Sequence, residues 1–280
     1  MAWGRNAGGS MPFEQINGTP IFFEERGVGE SVVLVHGTTG THAGWALVAP
    51  TLATDFRVIA YDRRGCGHSG DGMDHSLQHD AADLASIVDW LGTSVHLVGH
   101  SYGARVAMLA AQHNANVATL VLYEPPLDFA AVTSGTWDAI DEATLAQDWD
   151  QVLERFYPLV GITQDEIAVL RLFPSEWDAA LDGARTVSRE VRALRSAPVD
   201  VNALRCVASR TLVIRGGETT SPLFLNALDA VIDALDADIE VIDGQRHLAA
   251  VGAPDAVAAA VHAFISQHGG RSSPSTTEPA

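Results

Sequence analysis

Short apolar runs alternating with helical patterns constrain this chain more than any other feature. The runs are 20–25 (PIFFEE), 31–36 (SVVLVH), 56–61 (FRVIAY), 95–99 (VHLVG), 118–123 (ATLVLY), 210–215 (RTLVIR) and 238–242 (DIEVI). The inner ones are nearly continuous Val, Leu and Ile, which suits strands covered on both faces in a parallel sheet. Helical patterns fall near 43–53, 77–91, 102–114, 222–236 and 254–267, and Pro254 suits a first helical turn. The alternation predicts an α/β domain with a mostly parallel central sheet flanked by helices.

The rhythm breaks between 126 and 205. That stretch carries Trp137, Trp149, Phe156, Tyr157, Phe173 and Trp177 among acidic and alanine-rich residues, with no clear strand. It reads as a helical cap (126–205) inserted between two strands of a core formed by 1–125 and 206–268. Residues 1–10 and the 269–280 tail are rich in Gly, Ser, Pro and Thr and are expected to be disordered.

At 280 residues the chain suits one large domain or a domain with an insertion. Its formal charge of -18 argues against nucleic acid or an anionic membrane as partner and predicts repulsion of polyanionic substrates. Two cysteines, Cys66 and Cys206, make no disulfide framework, and nothing places them as metal ligands. No run has the length of a signal peptide core or a membrane span. These features predict a soluble protein of a reducing compartment, read as cytoplasmic. They say nothing of the oligomeric state.

The segment VGHSYGA (98–104) joins the apolar run at 95–99 to the helical pattern that follows. Glycines at 99 and 103 leave room for a strained turn that lifts the Ser101 hydroxyl to the carboxyl edge of the sheet. Ligands gather at that edge in open α/β sheets. The helix N-terminus behind Ser101 adds free N–H groups where negative charge would develop.

A serine needs a base, and eleven histidines compete for the role. His36 and His100 belong to strand-end motifs, while His75, His79, His113 and His262 read as helix or surface positions. His247 lies in DGQRHLA, after the last strand and before the final helix, and so emerges at the same edge as Ser101. The turn VHGTTG offers further amides there, with Thr38 N–H and Tyr102 N–H as the candidate oxyanion donors.

HGTTG, YDRRGCGHSG, GHSYGA and GQRH together resemble the α/β-hydrolase superfamily, in the same order and at similar intervals over about residues 20–268. The resemblance implies the α/β-hydrolase fold with a helical cap, Ser101 as nucleophile, His247 as base, and Thr38 and Tyr102 as oxyanion residues. Asp62, Arg63 and Arg64 read as structural. One position departs from the pattern: many members carry the triad acid as an Asp after the strand that follows the cap, where this chain has RGGETTSP. Thr219 and Thr220 stand in place of the Asp. Glu218 is the only acid there, and it is out of step. The preceding strand ends in LYEPP, which offers Glu124 on a backbone stiffened by Pro125 and Pro126. Glu124 is the favoured acid and Glu218 the alternative.

A serine, a histidine and an oxyanion turn describe acyl transfer to water, with no metal or organic cofactor required. The expected substrate is a neutral, hydrophobic carboxylic ester or lactone bound beneath the cap aromatics Trp137, Phe156 and Trp177. Carbon–carbon bond hydrolysis and cofactor-free perhydrolysis remain alternatives within the resemblance. Dehalogenases and epoxide hydrolases use an Asp where this chain has Ser101. A ligand receptor on the same fold, with little turnover, is the alternative from another class.

Overall fold

A computed structural model describes residues 12–268 except Met73, Thr93 and Ala131; the expected disorder of 1–10 and 269–280 lies outside the described residues. Eight strands form one sheet: β1 (Phe13–Ile16), β2 (Thr19–Arg26), β3 (Ser31–Val35), β4 (Arg57–Tyr61), β5 (Val95–His100), β6 (Val117–Tyr123), β7 (Arg210–Gly216) and β8 (Asp238–Ile242). Their order is β1-β2-β4-β3-β5-β6-β7-β8. β3 to β8 run parallel, and β1 and β2 add antiparallel pairs at one edge.

All five residues of β3 are buried. Val33 and Val35 pack on one face beneath the helices Leu77–Leu91 and Tyr102–Ala111, and Val32 and Leu34 pack on the other against the final helix Pro254–His268. Successive side chains of a strand point to opposite faces, so a strand buried at every position needs a helix layer on both. The same parallel strands deliver their carboxyl ends, and the loops after β3, β5, β6, β7 and β8, to one edge.

Between β6 and β7 the chain is helical, from Ser134–Leu145 to the 23-residue helix Pro174–Ser196 and the short turn Val201–Leu204. Trp137, Ile140, Val152, Phe156, Ile167 and Val187 of this insertion form an apolar core that Leu223 and Phe224, from after β7, complete. The insertion is joined to the sheet's loops at several points. Ser221 Oγ donates to Leu159 O at 2.7 Å, and a methyl group at Gly183 would sit 2.5 Å from Thr39 O.

Candidate active site

Ser101 stands between β5 and the helix Tyr102–Ala111 with φ 54° and ψ -120°, a conformation that costs a non-glycine residue energy. Its neighbours explain how it is held. A Cβ at Gly99 would lie 2.5 Å from Gly103 O, and one at Gly103 would lie 2.3 Å from Val35 O. Strand, turn and helix pass too closely for side chains at either glycine. The Ser101 amide donates to Tyr123 O at 2.9 Å, tying the elbow to β6. The Ser101 side chain makes no capping hydrogen bond to the helix it precedes.

Tyr102 is the first residue of its helix, so its amide has no carbonyl one turn back to bond. The loop after β3 approaches from the other side. A Cβ on Gly37 would lie 3.0 Å from Ser101 Cβ, which brings the Gly37–Thr38 peptide beside the serine. Thr39 there has φ 62°. The turn closes through Gly40 N to Gly37 O at 3.2 Å.

His247 is buried, and its Nδ1 lies 2.6 Å from Glu124 Oε2. Glu124 follows β6 with φ 44°. Its second oxygen accepts from Gly216 N at 2.8 Å and from the Thr219 hydroxyl. Burial alone would raise the Glu124 pKa. Hydrogen bonds from His247, Thr219 and Gly216 outweigh it and hold the carboxyl below its ordinary range. An ionised carboxylate only accepts, so Nδ1 of His247 carries a proton directed at Glu124.

Glu218 takes no part in this contact. Its carboxylate is exposed and lies 3.6 Å from Arg246 Nη2, while Arg246 Nη1 lies 3.3 Å from Glu166 of the insertion.

Three groups around His247 carry no signal in the sequence pattern. His100 Nε2 donates to His247 O at 2.9 Å, and burial beside His247 drives its pKa well below the ordinary value. Tyr123 OH donates to Arg246 O at 2.6 Å and accepts from Ala249 N at 2.7 Å. Phe224 stacks on the His247 ring at 4.3 Å. Each partner lies far away in sequence, so only the assembled sheet edge reveals them.

Trp137 and Phe156 lie in the insertion's apolar core, which Phe224 shares. Trp177 is partly buried there, with the Arg171 guanidinium 4.7 Å above its ring. The ring that the structure brings onto His247 is Phe224 instead. His75, expected at a helix or surface position, lies 3.2 Å from the buried Asp80, which needs donors to offset its burial. His247 also borders an open cleft of about 380 Å³ with Ile162, Glu166, Arg246, Leu248 and Val251. Among the described residues no group of three His, Cys, Asp or Glu is placed to hold a metal ion, and no helix is long and apolar enough to cross a membrane.

An elbow serine and a loop histidine on a parallel sheet define a class, and the sequence profile of the alpha/beta hydrolase family matches residues 32–260. The chain belongs to that family. It is similar to a non-heme haloperoxidase of Rhodococcus erythropolis, 28% identical over 91% of this chain and 99% of the relative. A bifunctional esterase/perhydrolase DCH of Acinetobacter calcoaceticus is 37% identical over 40% of this chain and 44% of its own. Among solved structures, an alpha/beta hydrolase from Sphaerobacter thermophilus superposes with a TM-score of 0.80 at 29% identity, covering 90% of this chain and 99% of that one.

Proposed function

We propose that the protein is a serine hydrolase that cleaves a neutral, hydrophobic carboxylic ester or lactone through an acyl-enzyme. The observation that carries this reading is the 2.6 Å contact between His247 Nδ1 and Glu124 Oε2, beside a serine held in a strained elbow. With Nδ1 committed to the carboxylate, Nε2 is the atom that takes the Ser101 proton as Oγ attacks the substrate carbonyl. The tetrahedral oxyanion rests on the amides of Thr38 and Tyr102. His247 then passes the proton to the leaving alkoxide, and water clears the acyl group by the same route. Glu124 keeps the imidazole in this tautomer and stabilises its charged form.

The insertion serves as the cap that excludes water and shapes the acyl pocket, supported by its packing onto the Thr39 peptide. The names of the Rhodococcus and Acinetobacter relatives favour a second reading, in which hydrogen peroxide replaces water as acceptor of the acyl group.

An aryl-ester series and a fluorescent organophosphonate test the first reading. One label per chain, mapped to Ser101, and multiple turnovers are expected. Labelling elsewhere, or full turnover by Ser101→Ala, would remove the acyl-enzyme. Adding peroxide to the same assay distinguishes the second reading, because peracid would form at the expense of acid.

A further inference from the structure

The peptide group between Gly37 and Thr38 is planar, with its C=O and N–H pointing in opposite directions. Whatever holds the Gly37 carbonyl therefore aims the Thr38 amide. Three donors hold it: His36 Nδ1 at 2.9 Å, Gly40 N at 3.2 Å and Arg63 Nη2 at 3.2 Å. Arg63 grips the same turn twice more. Its amide donates to His36 Nε2 at 3.0 Å and its Nε to His36 O at 3.1 Å. Because Nε2 accepts, Nδ1 carries the proton directed at Gly37 O. Burial, with Arg63 nearby, pushes the His36 pKa down to about 4, so the ring stays neutral in this role.

The same guanidinium supports the other oxyanion residue. Its Cζ lies 4.4 Å from the centre of the Tyr102 ring. Its Nη1 shares Asp80 Oδ2 with the Tyr102 hydroxyl, at 3.4 Å and 2.8 Å. From the insertion helix Pro174–Ser196, Glu190 reaches in and accepts from Arg63 Nη2 at 2.8 Å. Arg63, Asp80, Tyr102 and Glu190 are all buried. Asp80 Oδ1 and Glu190 Oε2 find no hydrogen-bond partner among the described residues, a cost in stability that an apolar contact would avoid.

We propose that Arg63 is the positioning residue of the oxyanion site: from behind, it orients and polarises the Thr38 amide and seats Tyr102, while Glu190 secures it from the insertion. The proposal rests on Ser101 being the nucleophile and adds a residue that touches no reacting atom. Only a planar fork reaches His36 O, Gly37 O, Asp80 and Glu190 together; an ammonium is a single point charge and does not. A cation on the carbonyl end strengthens the opposite N–H as a donor. That gain is greatest for an oxyanion, so its loss falls on kcat more than on KM.

The test compares Arg63→Lys with Arg64→Lys in the full chain. Arg64 is the control: adjacent in sequence, its guanidinium pairs with Asp83 at 2.9 Å, away from the oxyanion turn. With an aryl ester, Arg63→Lys should lose roughly 100-fold in kcat while KM stays within about threefold. An alkyl boronic acid, which forms a tetrahedral adduct on Ser101, should bind correspondingly more weakly, with the product carboxylate bound as before. Arg64→Lys should lower the melting temperature and keep kcat. Glu190→Gln should cost roughly tenfold in kcat, the weight of one weakened charge-assisted hydrogen bond, and serves as the readout if Arg63→Lys does not fold.

The proposal is overturned if the folded Arg63 variant, or Glu190→Gln in its place, keeps kcat within about threefold of wild type. Equal weakening of boronate and product binding would also overturn it. Failure of the wild type to acylate at Ser101 would instead remove the reading beneath it.

Discussion

Glu124 has a left-handed backbone and leaves no carboxylate oxygen idle. One oxygen meets His247, and the other accepts from Gly216 N and the Thr219 hydroxyl. Thr219 stands where the resemblance leads one to look for an Asp. A hydroxyl donor there suits a carboxylate arriving from the neighbouring strand, whereas a second carboxylate would repel it. Glu124→Gln should therefore lose up to about 10⁴ in turnover with a modest change in KM, as amide replacement does in the serine-protease case. Glu218→Gln, at an exposed carboxylate, should stay near wild type; the opposite ranking would move the acid to Glu218. A pH prediction has its own sign. The folded-state pKa of Glu124 lies below the ordinary 4.5, so its contribution is complete above that value and lost as pH falls through the folded one. The urea midpoints of wild type and Glu124→Gln should differ most near neutrality and converge on acidification. A gap that widens in acid would mean that the carboxyl is not ionised in the native state. Glu124 is visible in the sequence because a strand end and two prolines mark its place. Thr219, Tyr123 and His100 are not, because their partners lie in segments that follow other strands.

Elements were legible wherever apolar runs are continuous. All seven strand candidates appear in the sheet within a residue or two, and the inner ones stand out because burial on both faces favours apolar side chains there. β1 was missed: Phe13–Ile16 is a short edge strand, and its burial pattern shows one buried position out of four. Its turn was nonetheless written in the chain, because Asn17 and Gly18 both take positive φ, as a tight hairpin turn requires. Two helical patterns are each divided. The pattern at 43–53 becomes a turn at His42–Trp45 and a helix at Ala49–Leu52, and 222–236 breaks at Ala227, whose φ is 61°. Periodicity sees the buried face of a helix but not a kink that preserves it. How the insertion docks was beyond the sequence too, because it depends on Gly183 meeting Thr39 across the fold. Gly183→Ala should test that docking. Its methyl group would meet backbone atoms, which cannot swing aside, so a cost of about 1–3 kcal/mol is expected. Activity should fall along with the melting temperature, because the displaced atoms belong to the turn beside Ser101. A variant with unchanged stability and kcat would show that the helix and the turn yield independently.

At the scale of the whole molecule, charge is the property that bears on substrate choice. The chain carries a formal charge of -18. The one cation beside the cleft at His247 that is named in its lining, Arg246, lies between Glu166 and Glu218, so its field is largely cancelled. An anionic substrate therefore approaches against the net field, and a neutral one approaches without that barrier. The response to salt would separate the ester or lactone reading from carbon–carbon hydrolysis of an acidic substrate, which the fold alone does not. Salt supplies the measurement, because the Debye length shrinks from about 30 Å at 0.01 M to about 8 Å at 0.15 M. Two esters of equal size, one ending in a methyl group and one in a carboxylate, should respond differently. For the carboxylate ester kcat/KM should rise several-fold over that range, while for the neutral ester it should stay within about twofold. Repulsion acts on encounter, so kcat at saturation should be unchanged by salt for both. If the carboxylate ester is instead the better substrate at low salt, a local positive field dominates the approach. The preference for neutral substrates then falls, and an acidic substrate becomes the reading to pursue.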